Sequence, residues 1–262
     1  MNTFEKAVAF LSKTTDTPHF YGLFHIISAL IIIAACVLFI AYRHKITQNR
    51  LAYLVLIFGC VMVAFEILKQ FILIYNVNND TWTYKWYAFP FQFCSTPIYI
   101  APLAFLFYKL KCKKIYDAML GFLSTYSLVA GFLTVFIGTE KVLCSHIAIN
   151  IQTMIHHGLM LVLGVIILST RAIRFDKETF VLSTLVFLPL LTVALILNAL
   201  MPQLDLFYVS KASTVAFKPI SDLLFGGNLP YIIYLSGYIL LFAGASALTL
   251  FIASKITKKK SA

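Results

Sequence analysis

Charge is scarce in this chain. Only 12% of its 262 residues are Asp, Glu, Lys or Arg, about half of the roughly 25% that a soluble domain uses to face water. With 61% hydrophobic residues and a mean hydropathy of +0.89, too few charges remain to coat a globule of this size. That shortage excludes a soluble domain and makes lipid the solvent for much of the surface. Acidic residues are the scarcest, ten against 21 basic ones, for a net charge of +11.

Cysteine is also sparse. Cys36, Cys60 and Cys94 lie in apolar stretches, Cys112 in a basic connection and Cys144 in another loop. No paired spacing points to a disulfide framework or a zinc site, and no metal or cofactor is expected. No cleavable signal peptide is expected either: the first twenty residues are mixed and polar, and the first apolar run is long enough to span.

Long apolar runs are abundant. A bilayer core needs roughly 20 apolar residues per helix at ~1.5 Å rise. Seven runs qualify: 20–42, 51–75, 86–108, 115–137, 148–169, 180–201 and 230–254. The expected fold is all-α, a polytopic helical bundle of about seven transmembrane helices forming one integral membrane domain over 1–262.

The basic residues then set the orientation. Connections after the first, third and fifth runs, with the C-terminal tail, hold Arg43, Lys45, Arg50, Lys109, Lys111, Lys113, Lys114, Arg171, Arg174, Lys177, Lys255, Lys258, Lys259 and Lys260. The alternate side holds Lys6, Lys13, Lys85, Lys141, Lys211 and Lys218, balanced by Glu5, Asp16, Asp80, Glu140, Asp205 and Asp222. The positive-inside rule therefore predicts the N-terminus outside and the C-terminus cytoplasmic. The basic excess meets anionic lipid headgroups at the cytoplasmic face, so topology accounts for it and no nucleic-acid partner is expected. Trp82, Tyr84, Trp86 and Tyr87 gather at one predicted outer boundary, where amphipathic rings prefer to sit. The longest outer segment, 202–229, carries Gly226-Gly227 and reads as a lid or a loop.

An ionisable side chain at the bilayer centre costs at least ~2.5 kcal/mol on insertion scales. The second run nevertheless carries Glu66, Lys69 and Gln70 at offsets that share one helical face. The third carries Gln92, Cys94, Ser95, Thr96 and Tyr99, the fifth Gln152, His156 and His157, and the sixth ends near Asn198. Counted from the outer ends of their helices, Glu66, Cys94 and His157 fall at roughly 12–15 Å depth. Three helices thus bring charged or reactive groups to one level in the outer half of the bilayer. Read as helix, the third run puts Gln92, Ser95, Thr96 and Tyr99 on one face and Cys94 nearly opposite, with Pro90 and Pro97 able to distort it. Plainer roles stand beside this: a structural Glu66–Lys69 pair, histidines bonding neighbouring helices, and Cys94 packing as a small apolar group.

Several ordered segments resemble a known family. They are Thr17-Pro18-His19, Pro90-Phe91-Gln92-Phe93-Cys94-Ser95 leading to Ala101-Pro102-Leu103-Ala104, His157-Gly158-Leu159, and Asn198 followed by Lys218-Pro219-Ile220-Ser221 and Pro230-Tyr231. Together they resemble the YwaF-like bacterial membrane proteins, which are related to eukaryotic transmembrane protein 164. The resemblance implies a bacterial plasma-membrane location and, through the eukaryotic branch, acyl transfer between membrane phospholipids by cysteine and histidine. His157 matches that pattern, while Gln92 stands where family members often have histidine.

Two readings follow. In the first, Cys94, or a hydroxyl of Ser95 or Thr96, attacks an acyl ester; His157 or His156 is general base, Glu66 orients the imidazole, and Lys69 holds a phosphate or oxyanion. Gln70, Gln92, Tyr99 and Asn198 join Lys69, Ser95, Thr96 and His156 as the expected lipid-binding set. In the second, the chain is a non-catalytic lipid-binding, transport or receptor-like protein. The mostly apolar inner halves of the runs argue against a through-channel.

Overall fold

The computed structural model describes residues 2–77, 79–138, 142–210 and 229–258. Among the described residues, six helices are long and apolar enough to cross a membrane. They are α2 (Leu23–Tyr42), α3 (Gln48–Ile74), α5 (Lys113–Ile137), α6 (Ile147–Ser169), α7 (Lys177–Leu200) and α8 (Tyr231–Lys258). Two shorter helices are also described, α1 (Thr3–Leu11) and α4 (Pro97–Lys109). The chain is an all-α polytopic membrane bundle. Most of the outer segment expected over 202–229, including the Gly226-Gly227 pair and Lys218-Pro219-Ile220-Ser221, lies outside the described residues.

The third crossing departs from the expected helix over Trp86–Tyr108. Single 3-10 turns at Trp86–Ala88 and Phe93–Ser95 precede α4, which is only 13 residues long. Proline explains the break: it donates no N–H and pushes the preceding residue away from the α region, as at Phe89 before Pro90 (φ −51°, ψ 129°), whereas Pro97 opens α4, where its missing N–H costs nothing. The segment still carries the chain from end to end of the bundle. Its start is level with Gln70, whose Nε2 donates to the Ala88 carbonyl, and its end is level with Tyr53, whose hydroxyl accepts from Lys109 Nζ. Those α3 positions are ~25 Å apart along the helix, close to the ~30 Å of a bilayer core. Irregular backbone at that depth is tolerated where protein buries it, and Ser95 and Thr96 are 3% and 0% exposed.

Most burial lies in α5 and α6. Helix α6 packs on α2, α3 and α5, while α5 also packs on α4, α7 and α8. The approaches are close because small residues sit at the crossings. A Cβ on Gly131 of α5 would lie 2.7 Å from the His157 carbonyl oxygen of α6, and one on Gly59 of α3 would lie 2.9 Å from Ala101 of α4. Helix α5 widens into π turns at Leu123–Ser127 and Leu133–Ile137. Ser and Thr hydroxyls bond back along it, Thr125 to Gly121 at 2.7 Å and Thr134 to Ala130 at 3.0 Å, covering carbonyls that water would otherwise meet.

The two ends of the bundle are built differently. Helix α1, opened by an Asn2–Glu5 capping box, lays Phe4 on Phe71 and Trp82, with centroids 5.1 and 6.1 Å away. A short hairpin, β1 (Tyr75–Asn76) with β2 (Thr81–Trp82), lies beside it, and Thr15 N–H bonds the Ser145 carbonyl at 2.8 Å. All of these belong to the N-terminal end, assigned outside. At the other end α4 and α6 terminate through Lys111 and Arg171, whose φ values of 57° and 54° are left-handed. The following N–H groups reach back, Cys112 to Phe107 and Ala172 to Ile167, and so cover the last carbonyls of each helix.

Candidate functional site

The candidate polar groups come from α3, from the irregular chain before α4, from α6, and from the segment after α7. On α3, Lys69 Nζ meets Glu66 Oε2 at 2.8 Å and Gln70 Nε2 donates to Glu66 Oε1, also at 2.8 Å. The expected helical face is therefore real, and Glu66, 4% exposed, spends both oxygens within it. Glu66 orients Lys69 and Gln70; neither imidazole is among its hydrogen-bond partners. Gln70 Oε1 is buried without a partner among the described residues.

The helical-face placement of Gln92, Ser95, Thr96 and Tyr99 opposite Cys94 does not apply, because Gln92 is extended (φ −70°, ψ 160°) and helix begins only at Pro97. The side chains of Gln92, Thr96 and Tyr99 bond backbone instead. Gln92 donates to the Asp205 carbonyl at 3.0 Å and accepts from Phe207 N–H at 2.9 Å. Thr96 Oγ1 donates to the Phe93 carbonyl at 2.7 Å, and the Tyr99 hydroxyl to that of Pro90 at 2.6 Å. Asn198 grips Leu206 on both sides, donating to its carbonyl at 3.0 Å and accepting its N–H at 2.8 Å. Gln92 and Asn198 thus hold the 205–207 turn against the site.

Both histidines on α6 are buried, and each bonds a backbone carbonyl. His156 Nε2 lies 2.8 Å from the carbonyl oxygen of Cys94, and His157 Nδ1 lies 2.8 Å from that of Thr153. A carbonyl only accepts, so each bonded nitrogen carries the proton and the neutral ring keeps a lone pair on its other nitrogen. For His156 that nitrogen, Nδ1, is buried and unpartnered among the described residues. The two rings lie 5.5 Å apart, and α3, which carries Lys69, packs on α6. Cys94, His156 and His157 therefore lie together, with Lys69 on a neighbouring helix. Next to Cys94 in the chain, Phe93 packs on Phe242, Phe207 and Phe187, with centroids 4.5, 5.3 and 5.7 Å away.

Sequence reasoning missed three groups. Tyr208 follows the turn that Gln92 holds, Tyr238 packs on Phe242 with centroids 4.8 Å apart, and no periodicity links either to Cys94. His25 of α2 is 2% exposed, bonds the Val135 carbonyl at 2.9 Å and packs against Phe20; its position inside the first apolar run was the available signal. All five cysteines are free. Among the described residues no cluster of His, Cys, Asp and Glu suits a metal ion.

The sequence profile described as the TMEM164 family matches residues 17–252. No curated protein matches the chain, and no solved structure does.

Proposed function

We propose that this chain, which belongs to the TMEM164 family, is a lipid-modifying enzyme of the bacterial plasma membrane that moves acyl groups between phospholipids in the outer half of the bilayer. One observation carries the reading. His156 of α6 bonds the Cys94 carbonyl at 2.8 Å with the His157 ring 5.5 Å away, and α3, which packs on α6, carries a lysine held by a buried carboxylate, where unpaired charge is costly.

In this mechanism the His157 lone pair removes the Cys94 thiol proton, and the sulfur attacks the ester carbonyl carbon of a phospholipid. The ester C–O bond breaks, the departing lysolipid oxygen takes the proton back, and the acyl group stays as a thioester. A second lysolipid hydroxyl then attacks the thioester while His157 accepts its proton; the C–S bond breaks and the thiol is restored. Lys69 stabilises the developing oxyanion or holds the lipid phosphate. His156 positions Cys94 through its carbonyl rather than touching the substrate. Ser95 and Thr96 are the alternative nucleophiles.

The test uses purified protein with a phospholipid carrying a labelled acyl chain and an unlabelled lysophospholipid acceptor. Transfer should be abolished in His157→Ala with the thermal unfolding midpoint unchanged. Cys94→Ser should reduce it at least ~100-fold if sulfur is the nucleophile. Absence of transfer by the unmodified chain, or full transfer by His157→Ala, sinks the enzyme reading and leaves lipid binding.

A further inference from the structure

A cavity of about 590 Å³ lies at the cytoplasmic end, away from every residue of the candidate site. Its floor is Leu128 and Phe132 of α5 with Leu168 of α6, and its walls are Ile40 of α2 and Ile252 of α8. Arg43 and Arg171 stand at its rim. It extends along α8 from Ala245 to Ile256, ~16 Å of helix, and one leaflet of a bilayer core is about 15 Å deep. The trough therefore runs from the cytoplasmic headgroup level to the bilayer midplane.

The charges at its rim differ from their neighbours. Arg174 is paired with Asp176 at 2.8 Å and with Glu178 at 3.5 Å, and Lys113 is paired with Asp117. Arg43 uses one donor on the Ile40 carbonyl at 2.9 Å. Neither Arg43 nor Arg171 forms an ion pair among the described residues. A guanidinium has five N–H donors and suits phosphate oxygens in bidentate fashion. An apolar trough of leaflet depth beneath two uncompensated guanidinium groups matches one kind of molecule, with its charge at headgroup level and its chain in hydrocarbon.

We propose that this trough binds an anionic phospholipid of the cytoplasmic leaflet, with its phosphate on Arg43 and Arg171 and an acyl chain along α8. The site is independent of the outer cluster and stands whether or not that cluster is catalytic.

The test is lipid retention by the purified full-length chain. The protein in detergent is equilibrated with equal amounts of phosphatidylglycerol and phosphatidylcholine, and the lipid that stays bound is quantified. The unmodified chain should retain phosphatidylglycerol preferentially. Arg43→Gln with Arg171→Gln should lower that retention about tenfold, whereas Lys111→Gln with Lys114→Gln removes the same charge from the same face outside the trough and should change it less than about twofold. Ala245→Phe, which fills the trough and keeps both arginines, should lower it as well. Equal losses in the two charge variants would mean diffuse attraction only and overturn the proposal, as would undiminished retention by Ala245→Phe. If the double arginine variant fails to accumulate, Arg171→Gln at its exposed loop position is read by the same criterion.

Discussion

His156 of α6 donates from Nε2 to the backbone carbonyl of Cys94 at 2.8 Å. A side chain from one helix thus satisfies a backbone group that the proline-broken third crossing leaves without a helical partner. This bond fixes Cys94 against α6 and gives His156 a positioning role distinct from that of its neighbour.

Replacing His156 with Phe leaves that carbonyl buried without a donor, which costs about 1–3 kcal/mol. The unfolding midpoint in detergent should fall, and His156→Gln should recover part of the loss. An unchanged midpoint in His156→Phe would mean that the bond contributes nothing to stability.

The Glu66–Lys69 pair predicts a non-additive cycle. Lys69→Ala leaves a carboxylate unpaired at low dielectric, a loss of about 3–5 kcal/mol, whereas Glu66→Gln with Lys69→Met together can be close to neutral. The same unfolding assay separates the outcomes. Equal losses in the single and double variants would show the two groups uncoupled.

Gln92 and Asn198 should be coupled through the turn they share. Phe207 and Tyr208 hold left-handed φ values of 58° and 54°, a conformation that side chains other than glycine adopt at a cost of about 1–3 kcal/mol each. Gln92→Leu and Asn198→Leu should each destabilise by about 1–3 kcal/mol. Once one grip is lost the turn relaxes, so the double variant should lose less than the sum. Strict additivity would place the two amides in separate units.

Cys144 reports topology and burial together. As the only cysteine retained, it should label from outside intact cells with an impermeant maleimide; labelling only after permeabilisation would reverse the orientation. Burial raises its thiol above the ordinary value of 9.0, offset in part by a hydrogen bond with the His146 backbone that favours the thiolate. The thiolate is the reacting species, so a raised value means less of it at any given pH. Labelling should be slow near neutrality and still rising where an ordinary thiol has levelled off. A plateau below pH 9 would contradict the burial.

Much of this molecule is written along the chain in one dimension. Hydrocarbon thickness converts directly into the length of an apolar run, so the long apolar helices of an all-α bundle follow from residue order alone. The Glu66, Lys69 and Gln70 cluster follows too, because a single helix fixes offsets of three and four. What lay beyond the sequence depends on how separate segments rotate and approach. Hydropathy counts apolar side chains and is blind to missing backbone donors, so the break around Pro90 and Pro97 looked like another helix. The partners of His156, Gln92 and Asn198 are backbone groups exposed by that break and by the 205–207 turn, and which side chain reaches them is decided by helix rotation. Tertiary packing likewise set Arg43 and Arg171, far apart in sequence, in the lining of one trough, because α2 and α6 pack together and end side by side.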